Sequence, residues 1–269
     1  MEILREINIK YPEYSVITPQ TLYEFTVRSL TVQDEEKMKG SILTPTQFAK
    51  HLNQIIWDCI VKKPDDIKTY EDFLAKVSIK DREALLYGLY HVTYKDINNY
   101  DVMCESCGKS YPISINIDDA FQMDAWGGDE DKKGSLLNRE FIAKCKLAEN
   151  ITAIIKQPTL AKEEEIMADL TFATKEMTEL ATELLIIDRI EIADPDNSGR
   201  SDAYSELRNK VRIYKKLPAP DRKIINKEYK DNLGIYGVEI KTQSKCSVCG
   251  ETQTVPIDLI TQFFRALYE

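Results

Sequence analysis

The sequence predicts an α+β fold: an N-terminal β region, a four-cysteine zinc ribbon split in two, and a helical insertion between the two knuckles. Three observations carry that expectation. The phrase CESCGK at 104–109 is echoed by CSVCGE at 246–251, about 140 residues later, and each sits among strand-like residues. Stretches rich in Ile, Val, Tyr, Phe and Thr occupy the N-terminus and flank both phrases. Most of the remainder repeats its apolar residues at helical spacing. The chain divides accordingly into 1–40, an N-terminal β region; 41–99, a helical region; 100–125, the first ribbon half; 126–232, the helical insertion; and 233–269, the second ribbon half with a C-terminal helix.

Each element follows from local pattern. EILREINIKY, SVITP and YEFTVRSLTV read as strands, with Phe25, Val27 and Leu30 among polar neighbours and Pro12 and Pro19 as punctuation. Thr44-Pro45 opens a helix, because proline suits the first turn. Phe48, Leu52, Ile55, Ile56, Cys59 and Ile60 then share one of its faces. Thr69 with Asp72, and Ser78 with Asp81, have the spacing of capping boxes with a shorter acid. The second pair opens a helix through DREALLYGLYHVTY. SYPISINID alternates, with Ile113, Ile115 and Ile117 on one face, and WGGDEDKKGS (126–135) is a loop.

From Leu136 to Tyr229 the pattern reads as helical. Ile166, Leu170, Ala173, Met177, Leu180, Leu184 and Ile187 fall at 4-3-4-3-4-3 spacing, a heptad seam that suits a core helix or a surface docking a partner helix. ADPDNSGRS (193–201) and LPAPDRK (217–223) interrupt the pattern. YGVEIKTQ returns to strand, and DLITQFFRALYE closes as an amphipathic helix capped by Asp258.

Composition narrows the function classes. With 43% hydrophobic and 30% charged residues, 269 residues can fill a packed core rather than remain disordered. A net charge of −9 disfavours a partner read through its phosphates. No apolar run approaches the roughly 20 residues of a membrane helix, and the N-terminus lacks the apolar core of a signal peptide. The expectation is a chain kept in a reducing cytoplasm, where paired Cys-x-x-Cys units read as metal or redox sites before disulfides.

Two residues between thiols let both sulfurs reach one ion about 2.3 Å away. The glycine after the second cysteine admits the left-handed backbone of such a turn. One knuckle supplies two ligands and a structural zinc takes four, so Cys104, Cys107, Cys246 and Cys249 form one expected site. Closing a loop of this length costs on the order of 4 kcal/mol, against roughly 10–16 kcal/mol from structural zinc in favourable cases. Four thiolates leave no open position for water, so the expected Zn2+ is structural; the same ligands also suit iron. A redox dithiol, separate structural thiols and a site shared between chains are the competing readings. Cys59 and Cys145 sit on apolar faces as core residues.

Little else points to chemistry. DPDNSG (194–199) opens like a calcium loop, but Ser201 and Ser205 stand where an apolar residue and a bidentate glutamate belong, which favours a plain turn. His51 and His91 are the chain's two histidines, far apart in sequence and expected to be structural or exposed. No phosphate-cradling, dinucleotide-binding or nucleophile-elbow motif is present. The expectation is a protein without catalytic or cofactor-binding residues beyond the metal ligands.

Four stretches together resemble a known family. EFTVRSLTVQDEEKMKGS, DREALLYGLYHVTY, DVMCESCG and the ending YGVEIKTQSKCSVCGETQTVPIDLITQFFRALYE are similar to the baseplate hub and hub-assembly proteins of T-even-like contractile-tailed bacteriophages. The resemblance covers both ends and both knuckles and is weakest through 120–215. It implies a structural or assembly role, other tail and baseplate hub proteins as partners, room for a homo-oligomer, and no catalytic residues. It also implies residence in the host cytoplasm during assembly and, for members that stay in the particle, in the tail baseplate. A nucleic-acid-binding zinc-ribbon accessory protein is the alternative, resting on the basic runs RNKVRIYKK (208–216) and PDRKIINKEYK (220–230).

Overall fold

The computed structural model describes residues 10–39, 45–94, 99–127, 135–169, 175–194, 200–261 and 263. Residues 2–9 of the expected strand EILREINIKY, Thr44, residues 128–134 of the expected loop, Leu170, Ala173, the 195–199 part of the calcium-like loop and Phe264 lie outside them. The described part is mixed α and β, organised around two apolar cores and a small cluster at the cysteines.

The first core begins with β1 (Glu13–Ile17), β2 (Glu24–Arg28) and β3 (Ile60–Lys62), an antiparallel sheet in the order β1-β2-β3. Between β2 and β3 come α1 (Val32–Lys39) and α2 (Pro45–Cys59). Helix α1 lies within the 1–40 stretch expected as an N-terminal β region, where its strand-like residues end. Asp34 accepts from the Thr31 amide at 2.9 Å while Thr31 Oγ1 accepts from the Asp34 amide at 3.2 Å, so TVQD is a capping box. Ile60 is also reassigned: α2 ends at Cys59, and Ile60 pairs with Val27 in the sheet.

Helices α3 (Tyr70–Lys76) and α4 (Ile79–Tyr94) have the expected starts. Thr69 and Asp72 form a capping box, and Ser78 Oγ accepts from the Asp81 amide at 2.9 Å. Helix α4 lies against β1 and β2 at a glycine. A Cβ on Gly88 would fall 2.4 Å from Val16 Cγ2, so this close approach requires the residue without one.

The chain next forms the β4 (Asn99–Met103) and β5 (Ser110–Ser114) hairpin, α5 (Ile117–Ala120) and β6 (Phe121–Asp124). The expected alternation through Ile117 stops at Ser114, because Asn116 accepts from the Asp118 amide and turns the chain into α5.

The helical reading of 126–232 is corrected most. That segment builds a four-stranded antiparallel sheet, β7 (Phe141–Lys144), β8 (Ile151–Ile155), β9 (Ile187–Ala193) and β10 (Ser201–Tyr204), in the order β10-β9-β8-β7. Helices α6 (Leu160–Ala168), α7 (Lys175–Leu185), α8 (Leu207–Tyr214) and α9 (Ala219–Tyr229) accompany it. Ala153, Ile154 and Ile155 are consecutive and all buried, so both faces of β8 are covered and no alternation marks it as a strand. The heptad seam is divided as well: Ile166 lies in α6, Leu180 and Leu184 in α7, and Ile187 in β9.

Two polar devices join the halves. Arg82 of α4 donates to Glu163 of α6 through both terminal nitrogens, Nη2 to Oε1 at 3.0 Å, and Asn53 Oδ1 accepts from Arg82 at 3.0 Å. Gln20 donates to the carbonyls of Leu233 and Tyr236 at 3.2 and 2.9 Å. Strands β11 (Gly237–Lys245) and β12 (Thr252–Pro256) then carry the chain back to the first core, which Ile240, Val255, Ile257, Leu259 and Phe263 help fill. Asp258 accepts from the amides of Ile260 and Thr261 and starts the closing helical turn as expected. No helix among the described residues is long and apolar enough to cross a membrane.

Candidate metal centre

The two cysteine phrases are the turns of two hairpins. Cys104 and Cys107 lie between β4 and β5, and Cys246 and Cys249 between β11 and β12. Both turns close by the same two backbone bonds. In the first, the Gly108 amide donates to Cys104 O at 2.8 Å and the Cys104 amide to Lys109 O at 2.9 Å. In the second, the Gly250 amide donates to Cys246 O at 3.0 Å and the Cys246 amide to Glu251 O at 2.8 Å. Gly108 and Gly250 take φ of +67° and +78°, the left-handed backbone expected after the second thiol.

The hairpin tips meet sulfur to sulfur. Cys104 Sγ is 3.6 Å from Cys249 Sγ, Cys107 Sγ is 3.9 Å from Cys246 Sγ, and all four sulfurs lie within 4.8 Å of one another. A tetrahedron with metal–sulfur bonds of about 2.3 Å has edges of about 3.8 Å, so the two cross-hairpin distances straddle the value an ion needs. They are far beyond a disulfide bond of about 2.05 Å. The donor set and its spacing fit a tetrathiolate metal site. Among the described residues no other group of three or more His, Cys, Asp or Glu side chains converges in this way.

Electrostatics around the sulfurs favour thiolate at one position. The amides of Cys249 and Val248 point at Cys246 and pull its thiol down to about 7; the Val248 nitrogen lies 3.4 Å from Cys246 Sγ. At Cys249 the Glu251 amide pulls the same way, but partial desolvation and the three neighbouring sulfurs prevail and push that thiol up to about 12. At Cys249 the neighbouring sulfurs thus oppose ionisation, which a divalent cation held at the site would reverse.

Burial is graded. Cys104 and Cys246 are buried, Cys107 is half-buried and Cys249 is exposed, so the centre sits at the surface with its inner side sealed. Tyr111 packs against Cys104 and Cys246. Gln253, on β12, receives the Glu105 amide on Oε1 at 2.9 Å and donates to Met103 O at 3.0 Å. That cross-hairpin tie had no signal in the sequence: a glutamine on a strand carries no mark of a partner about 150 residues away.

The other candidates stand apart from the centre. Cys59 and Cys145 are buried core thiols, and burial pushes them up to about 12 and about 11. His51 Nε2 lies 3.1 Å from Lys37 O, and His91 Nδ1 lies 2.7 Å from Asp118 Oδ1. Asp194 donates its amide to Arg200 O at 2.9 Å where β9 turns towards β10.

No curated protein sequence matches the chain, and no solved structure does. A family model does, described as T4 bacteriophage base plate protein, and its match runs over residues 11–265. It spans both cores and both cysteine hairpins, including the 120–215 stretch where the sequence resemblance was weakest, and the chain therefore belongs to this family of phage baseplate proteins.

Proposed function

We propose that this baseplate protein is a scaffold or assembly component of the central hub, without catalytic activity, and that one structural zinc at Cys104, Cys107, Cys246 and Cys249 makes its two ribbon halves a single zinc ribbon. The observation that carries the reading is the approach of two equivalent hairpin turns, distant in sequence, to sulfur separations of 3.6 and 3.9 Å. Zinc would be held by the four thiolates, with its coordination filled and no position left for substrate or water. What the chain supplies is placement. The knuckle amides and glycines shape each turn, Gln253 locks one turn to the other hairpin, and the joined hairpins tie residues near 104 to residues near 249. A closed loop of that length restricts the unfolded chain most, and the clamped body then offers fixed surfaces to neighbouring baseplate proteins.

The hub assignment is tested by affinity purification of the tagged full-length chain from infected host cells, followed by gradient sedimentation. The chain is expected to recover other baseplate hub proteins and to sediment with them in a subassembly. Recovery of the chain free of tail proteins at every stage of infection would overturn it.

A further inference from the structure

The run LRNKVRIYKK at 207–216 carries five cations and no acid in a chain whose net charge is −9. One of the five is turned inward: Lys210 is buried and donates to Ile187 O at 2.6 Å and Asp188 O at 3.3 Å, fixing α8 against β9. That anchor sets the position of the outer edge of α8, where Arg212 is exposed, and of the turn after it, where Lys216 is exposed. Neither has an ion-pair partner among the described residues.

These two cations stand on the rim of a groove of about 360 Å3 between α8 and the sheet. Its floor follows from strand register. Ile151 of β8 and Ile192 of β9 are directly opposite one another, so their side chains share one face, and Ile213 of α8 joins them. Tyr204 of β10 forms a wall. The volume is in the range, roughly 300–1,000 Å3, in which concave apolar sites enclose a ligand.

We propose that this groove docks an acidic, apolar peptide segment of another protein. One aromatic or branched side chain would fill the isoleucine floor, and carboxylates beside it would pair with Arg212 and Lys216. Charge complementarity selects this occupant. An apolar cavity rimmed by two unpaired cations on an acidic body favours an anionic partner with a hydrophobic anchor and repels a basic one. Nucleic acid is the poorer fit: the floor is aliphatic and Tyr204 is the one aromatic lining residue, which leaves bases a single platform to stack on. This proposal is independent of the metal centre and of the hub assignment.

The test is selection from a random displayed heptapeptide library on the full-length protein, followed by fluorescence anisotropy of an enriched, labelled peptide. The expected peptides place Asp or Glu next to Phe, Leu, Ile or Trp. The Arg212→Glu, Lys216→Glu double variant should bind them at least ten-fold more weakly. Because both positions are exposed, that variant should keep the wild-type melting temperature, which separates lost docking from lost folding. A second variant, Tyr204→Ala, should weaken the same peptides with the rim charges intact. Enriched peptides without acidic residues, equal binding to the rim variant, or no enrichment would overturn the proposal. So would a single-stranded oligothymidine that displaces the peptide and loses affinity in the same rim variant.

Discussion

The two cores are pinned by the same device under opposite electrostatic conditions. In the first, Asp81 near the start of α4 accepts from the Gln20 amide at 2.8 Å and Thr21 Oγ1 at 2.9 Å, holding the β1–β2 turn. In the second, Asp221 near the start of α9 accepts from the amides of Lys146, Leu147 and Ala148 at 2.8, 3.1 and 2.9 Å, holding the β7–β8 turn. Both carboxylates are buried, yet burial outweighs the hydrogen bonds at Asp81 and raises its pKa. At Asp221 burial pulls the same way, but the three amides prevail and its pKa is lowered. A helix start near a carboxylate gathers a distant loop in both regions; Asp81 also takes the Thr21 and Ser78 amides, but at 3.4 and 3.3 Å, and there the loss of hydration wins, whereas the three shorter amide bonds at Asp221 make holding the charge favourable.

The joint between the regions should be the most sensitive point. Arg82→Met removes the partner of Glu163 and leaves a carboxylate enclosed between α4 and α6. The expected loss is about 3–5 kcal/mol in urea unfolding. A loss below about 1 kcal/mol would mean that the two regions hold together without this pair.

The aspartates should then separate. At pH 7 Asp221→Asn is expected to lower the melting temperature more than Asp81→Asn, since only the former gives up a charge that its site favours. The pH dependence should also diverge. The Asp221 carboxylate contributes stability above its unfolded pKa of about 3.9 and loses it as pH falls through the lower folded value, so the gap to Asp221→Asn closes in acid. The Asp81 pKa is raised, so the native state takes up its proton first and wild type gains on Asp81→Asn as pH falls from neutrality. Parallel melting curves for the two variants across pH 7 to 3 would remove the distinction.

A smaller effect is expected at Gly88. A Cβ there meets Val16 at 2.4 Å and Val27 at 3.2 Å, and overpacking of this kind costs typically about 1–3 kcal/mol. The better helix propensity of alanine offsets up to about 1 kcal/mol. Gly88→Ala should therefore be neutral to destabilising by about 3 kcal/mol in chemical denaturation, and a gain in stability would show that the α4–sheet spacing has slack.

What the sequence made legible was short-range. Capping at Thr69 and Ser78, the apolar stripe of α2, the glycines of the knuckles and the Asp258 cap all lie within a few residues of the groups they govern. The pairing of the two Cys-x-x-Cys turns was legible because an ion needs four ligands and each turn offers two. The second sheet was not. ITAII at 151–155 is too short and too uniformly apolar to show a period, and the 166–187 spacing ran across two helices and a strand that each bury their own apolar residues. The aspartate anchors escaped as well, since Asp81 and Asp221 find their partners 60 to 75 residues away. An acid in the first turn of a helix looks alike whether it faces water or a loop.

The central claim is that two distant hairpin turns make one metal centre. A native mass spectrum of the full-length chain, with the Cys246→Ser variant beside it, tests this most directly. The account predicts one zinc per wild-type chain and a metal-free or partly loaded variant. A metal-free wild-type chain in which all six thiols titrate would contradict it.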